Sequence, residues 1–212
     1  MLKLYIGNKN YSSWSMRPWV LLKQAGIAFE EVMVSFDSFE PGSRFKQQMN
    51  QVSPVGKVPV LVEGERSPEA HLWPREAPAR ARARSVCAEM HAGFMALRSA
   101  CGMNIEASLP EVGQIIWRDR PGVGADAARI VATWQQLLAE HGGPMLFGRF
   151  TAADAFYAPV VMRLKTYALP VPQDVAAYME RVCALPGVKA WIDDALAEKS
   201  FVPFDDPYRA GR

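Results

Sequence analysis

The chain has 212 residues, 50% of them hydrophobic and 22% charged, and its 24 Lys/Arg against 22 Asp/Glu leave a net charge of +2. This balance is ordinary for a globular protein of one or two domains with a substantial core, and it excludes a global electrostatic case for nucleic acid or membrane surfaces. No apolar run approaches the roughly 20 residues that span a bilayer. The three well-separated cysteines, Cys87, Cys101 and Cys183, argue against a disulfide framework and fit a reducing cytoplasm.

In chain order, Leu2 to Ile6 predicts a strand, which is also how the N-terminus reads in place of a secretion signal. Gly7 to Tyr11 follows as a polar loop. Tyr11-Ser12-Ser13-Trp14-Ser15-Met16-Arg17-Pro18-Trp19 then leads into a helix predicted from about Ser15 to Ala25. Pro18 is tolerable because first-turn N–H groups have no intrahelical partner. Gly26 stands where a left-handed residue ends a helix. The three serines can cap the helix and surround its positive end, where N–H groups and the dipole favour an anion. One capping serine with ordinary polar neighbours accounts for the same stretch.

Phe29, Val32, Val34 and Phe36 predict a second strand, Pro41 to Asn50 a weak helix, and Val58 to Val62 a short buried strand. This alternation is that of an α/β unit with a crossover. From Trp73 onward long helical patterns take over, at about 75–100, 125–141, 152–168, 173–184 and 188–199. Leu109-Pro110, Pro121-Gly122-Val123-Gly124, Gly142-Gly143-Pro144 and Leu185-Pro186-Gly187 read as the breaks between them.

Two further motifs stand out. In Val55-Gly56-Lys57-Val58-Pro59-Val60-Leu61, proline removes a ladder donor at the start of an apolar strand. A cis Val58–Pro59 bond would expose the Val58 backbone to a ligand, but only about 5–6% of X–Pro bonds in folded proteins are cis. Taken alone, Pro59 reads as an edge or strand-entry residue. Thr151 and Asp154 have the spacing of a capping box, with Asp in place of Glu or Gln.

Together, in this order and spacing, these stretches resemble the cytosolic glutathione transferases over nearly the whole chain. Tyr11 to Arg17 is similar to the serine-type loop of the zeta and tau classes, Val58-Pro59 to the family's cis-proline pair, and Phe147-Gly148-Arg149-Phe150-Thr151-Ala152-Ala153-Asp154 to its helix-capping segment. The resemblance implies an α/β thioredoxin-like N-terminal domain over 1–66 and an all-α C-terminal domain over 67–212. It also implies glutathione as co-substrate, no metal, a cytoplasmic homodimer and detoxification of small hydrophobic electrophiles. Ser12 falls where these classes keep the hydroxyl that favours the glutathione thiolate, with Ser13 as alternate or backbone contact. Val58 and Pro59 would meet the cysteinyl part of glutathione, and Lys57 its glycyl carboxylate.

The resemblance also has departures. A strand and helix of about 15–20 residues, ending in a Glu-Ser or Asp-Ser pair for the γ-glutamyl end, are missing after Val62. Glu65 and Ser67 are not adjacent and do not inherit that role. Either a segment is absent from this sequence or the deletion is real, leaving an exposed sheet edge; the intact flanks favour the first. Trp14 stands where zeta members have a cysteine, which weakens a glutathione-dependent isomerase of maleyl-type substrates. A non-catalytic binding module on the same fold is the alternative from another class. His91, Met95 and Arg98 share one side of the first long helix and are pocket candidates. His71 and His141 show no metal spacing, Arg80 and Arg84 share a solvated or subunit-contact face, and Cys87 has no basic partner to activate it. Trp191 reads as a core anchor.

Overall fold

A computed structural model describes residues 2–62 and 72–209. Its first part holds β1 (Leu2–Ile6), α1 (Ser13–Gln24), β2 (Phe29–Met33), α2 (Arg44–Val52) and β3 (Val60–Val62). Strand β1 is central: it pairs parallel with β2, Leu2 against Phe29, and antiparallel with β3, Leu4 against Leu61. Leu2, Leu4 and Ile6 point alternately into the core, as a half-buried strand requires. The expected strands are trimmed. Val34 and Phe36 fall beyond β2, and β3 starts only after the cis Val58–Pro59 bond. The sequence reading of Glu65 and Ser67 falls outside the described residues.

Helices α3 (Ala77–Ala92), α4 (Met95–Ala100), α5 (Pro110–Asp119), α6 (Pro121–His141), α7 (Ala152–Thr166), α8 (Gln173–Ala184) and α9 (Pro186–Glu198) build the rest. The single helix expected over 75–100 is two helices. Gly93 leaves the helical region and Phe94 turns left-handed at φ 57. The breaks expected at Pro110 and Pro121 are instead helix beginnings. Proline at the first helical position lacks only an N–H that would be unpaired anyway, and its φ is already helical. The capping box forms as its spacing predicts: Thr151 Oγ1 accepts from the Ala153 N–H and Asp154 accepts from the Thr151 N–H.

One hydrophobic core runs through both parts, from Leu4 and Ile6 on β1 through Met16 and Trp19 on α1 to Val86, Tyr157, Val160 and Trp191. Trp191 is fully buried against Trp19, ring centres 5.3 Å apart, so its anchoring role holds. Helix α7 is packed on nearly every side and lies directly against α1 and α3. Gly113 lets α5 reach the chain at the end of α7: a Cβ there would sit 1.7 Å from the Tyr167 carbonyl oxygen. Because that obstacle is backbone, Gly113→Ala is expected to destabilise by about 2–3 kcal/mol, read as a lower urea midpoint at unchanged slope.

Candidate functional site

The loop read as merely polar, Gly7 to Tyr11, is buried, and a buried loop must find partners for all its polar groups. Asn8 bonds the Glu198 carboxylate and accepts from the Phe36 N–H at 2.6 Å. Asn10 bonds Asn104 and accepts from the Glu106 N–H at 2.8 Å. The Lys9 ammonium sits between Glu31 at 2.8 Å and Asp194 at 2.7 Å, over the Trp19 and Trp191 rings. This knot pins the start of α1 to α9, to the chain after β2 and to the stretch at 104–106 between α4 and α5.

On that base the serines turn into the N-terminus of α1. Ser12 is the N-cap, its Oγ accepting from the Ser15 N–H at 3.4 Å and lying 2.7 Å from Ser15 Oγ. Ser15 is fully buried and also accepts from the Gly7 N–H at 3.1 Å, locking strand end to helix start. Ser13 Oγ accepts from the Arg163 guanidinium at 3.2 Å, a bond that reaches across 150 residues.

Ser12, Ser13, Lys57 and Val58 line one cleft of about 640 Å³. Pro59 adjoins it through its cis bond to Val58 without lining it. Phe36, Phe39 and Phe45 form an edge-to-face aromatic wall, and Lys46 ties α2 to the Gly56 carbonyl at 2.8 Å. The facing wall comes from the helical part: Met95, Arg98, Met103, Arg163 and Asp205. Of the pocket candidates, Met95 and Arg98 line the cleft. His91 meets Trp14 edge-on at 4.9 Å, and the break at Gly93 separates it from the helix that carries the other two.

Three arginines crowd this corner. Arg163 is buried; Nη1 donates to the Arg98 carbonyl at 3.3 Å and to the Cys101 carbonyl, and Nε has no partner among the described residues. Arg17 is buried behind Trp14, its guanidinium 4.2 Å from the ring centre, with Nε and Nη1 unpartnered. Arg98 stacks 5.2 Å from the same ring. Burial, then the neighbouring arginines, bring Arg17 down to about 10; burial, then Arg98, does the same to Arg163. Both remain cations at neutral pH, each crowded by positive neighbours. Asp205 is the counterweight, its carboxyl pushed up by burial and pulled down by Arg163.

Sequence reading missed Arg17 and Arg163. The one available signal for Arg163 was a charge inside a helix apolar on most faces. Cys87 does have a basic neighbour in Arg17, contrary to expectation, yet burial prevails and pushes its thiol up to about 12, which leaves it inert as a nucleophile.

The glutathione S-transferase N-terminal domain model matches residues 11–72 and the C-terminal domain model residues 117–194. No curated protein matches the sequence. Among solved structures, the chain is similar to a glutathione transferase homolog from Burkholderia gl BGR1 with bound glutathione, at 21% identity and TM-score 0.63 over 94% of this chain and 99% of that one. It is also similar to the Tau class glutathione S-transferase of mango, Mangifera indica, at 19% identity and TM-score 0.62 over 93% and 96%. A homolog from Sulfitobacter with bound glutathione gives 20% identity and TM-score 0.65 over 92% and 99%. At these identities the likeness is one of fold.

Proposed function

Because the chain belongs to the glutathione S-transferase family, we propose that it is a serine-type transferase that adds the glutathione thiolate to a small electrophile. The observation that carries this is the convergence of Ser12 and Ser13 at the positive end of α1, beside Arg163 and across one cleft from Lys57 and Val58. A free thiol ionises near about 8.5. A hydroxyl donor at a helix N-terminus, backed by unpaired guanidinium charge, stabilises the thiolate over the thiol. Ser12 is the donor to sulfur in this reading, Ser13 its neighbour, and the Val58 backbone and Lys57 hold the cysteinyl and glycyl parts. The thiol proton leaves to solvent as the thiolate forms; the sulfur then bonds the electrophilic carbon, and the displaced electron pair departs with a leaving group or, in an addition, takes up a proton from solvent.

Isomerisation of a maleyl-type substrate would use the same thiolate, but Trp14 fills the place of the zeta cysteine. The reading extends to a cytoplasmic homodimer, for which sedimentation at micromolar concentration should give twice the chain mass. A non-catalytic binding module is favoured by one feature, the short connection from Val62 to Leu72 where a γ-glutamyl anchor is expected. Calorimetric titration with glutathione separates the two. The transferase should bind with a dissociation constant within about 1 mM; no heat from a folded sample moves the assignment to the binding module.

A further inference from the structure

The cleft holds more positive charge on its helical side than a thiol needs. Lys57 before β3, given above to glutathione, and Lys46 on α2 line the cleft from the first part of the chain. Arg98 on α4 and Arg163 on α7 line the same cleft from the helical part, as Met95 and Met103 do. Neither of those arginines, nor Arg17 behind them, makes an ion pair among the described residues, and Arg163 keeps an unpartnered Nε although only 7% exposed. A buried guanidinium whose charge is only partly compensated is costly, and Asp205 is the acidic group that lines this cleft. One thiolate offsets one such charge, and Ser13 already turns Arg163 Nη2 toward that corner.

Resting on the transferase reading, we infer that the electrophile carries a carboxylate, held by Arg98 and Arg163 on the helical side of the cleft. Two planar guanidiniums suit a carboxylate, which accepts bidentate bonds from such forks. Arg98 is anchored for this: Nη1 donates to the His91 and Gly93 carbonyls at 3.0 and 3.3 Å, and the group lies against Trp14. The methionines give the body of the electrophile an apolar wall. Asp205 is the opposing charge on this side, its carboxyl pushed up by burial and pulled down by Arg163; it faces two arginines and two lysines along the same cleft.

The test uses matched pairs. With glutathione, 4-chloro-3-nitrobenzoate and its methyl ester react alike: the thiolate sulfur bonds the ring carbon, the carbon–chlorine bond breaks with its electron pair, and chloride leaves. Each catalysed rate is divided by its uncatalysed rate. The carboxylate should be favoured by about tenfold or more, the scale of a charge-assisted contact, and Arg98→Gln should bring the ratio toward one.

The unreactive pair, 3-nitrobenzoate and its methyl ester, is titrated calorimetrically with and without saturating glutathione. The acid should bind about tenfold tighter than the ester, more weakly at high salt, and glutathione should leave its binding within threefold. Equal binding of acid and ester overturns the inference. Displacement of the acid by glutathione also overturns it, because the anion the arginines hold would then belong to glutathione. Absence of glutathione binding, by contrast, sinks the transferase reading, while the acid-against-ester comparison still decides the anion site.

Discussion

Ser12→Ala is expected to lower kcat for glutathione conjugation by about a hundredfold, the scale of losing one preorganised donor to a developing anion, with glutathione affinity changed far less. Affinity is spread over Lys57, Val58 and the rest of the cleft, whereas thiolate stabilisation needs a proton donor at one point. The geometry leaves that proton available. Ser12 and Ser15 Oγ lie 2.7 Å apart and either can donate to the other; when Ser15 donates, the Ser12 proton is free to turn to the sulfur.

The pH profile gives a second readout. The thiolate is the reactive form, so kcat/KM rises with pH through the pKa of bound glutathione. Removing a group that holds this pKa down shifts the rise to higher pH, toward about 8.5. Loss of the N-cap also costs about 1 kcal/mol of stability, a modest change that thermal unfolding would report separately. Unchanged activity in Ser12→Ala, with a large loss in Ser13→Ala, would move the role to the serine that Arg163 contacts.

Asp154→Ala is expected to be the most damaging substitution to stability. The carboxylate is fully buried and accepts from the Leu146 N–H at 3.1 Å, the Thr151 N–H at 2.8 Å, the Thr151 hydroxyl at 3.3 Å and the Tyr178 hydroxyl at 3.1 Å. Burial pushes its pKa up and these donors pull it back. Alanine leaves three residues with buried unpaired donors, each costing about 1–3 kcal/mol, so the total is about 4 kcal/mol. For a chain of this size that lowers Tm by about 10 °C. Thr151→Ala, which removes one capping acceptor, should cost only about 1 kcal/mol. A similar Tm for both variants would mean that Asp154 does no more than cap the helix, without tying the Leu146 turn and α8 to α7.

Both predictions start from residues legible in the sequence, and they show where legibility ends. The Thr151/Asp154 spacing announces the cap because a capping box closes within four residues. It does not announce Tyr178 or Leu146, which arrive through packing. Proline likewise misled at Pro110 and Pro121: a breaker seen from the preceding segment is a starter for the following one. The Gly93–Phe94 kink escaped because Phe94 carries no left-handed signature; it turns where α4 leaves the line of α3, and its side chain is buried in the core.

The sequence by itself determined what near neighbours decide. These are β1 and its alternation, a serine cap for a helix whose positive end can face an anion, Gly26 as its stop, and the box at Thr151. Only the tertiary structure decided the environment of that helix end. Asn8 and Lys9 became buried anchors because α9 closes over them, and Asn10 because the chain at 104–106 does. Arg163 reached Ser13 because α7 packs along α1, and Arg17 and Arg98 came to share one aromatic ring. Caps and periodicity are local interactions that any reading of adjacent residues can weigh. The charge at a cleft is a sum over residues that only packing brings within a few ångströms, where burial makes each charge count more.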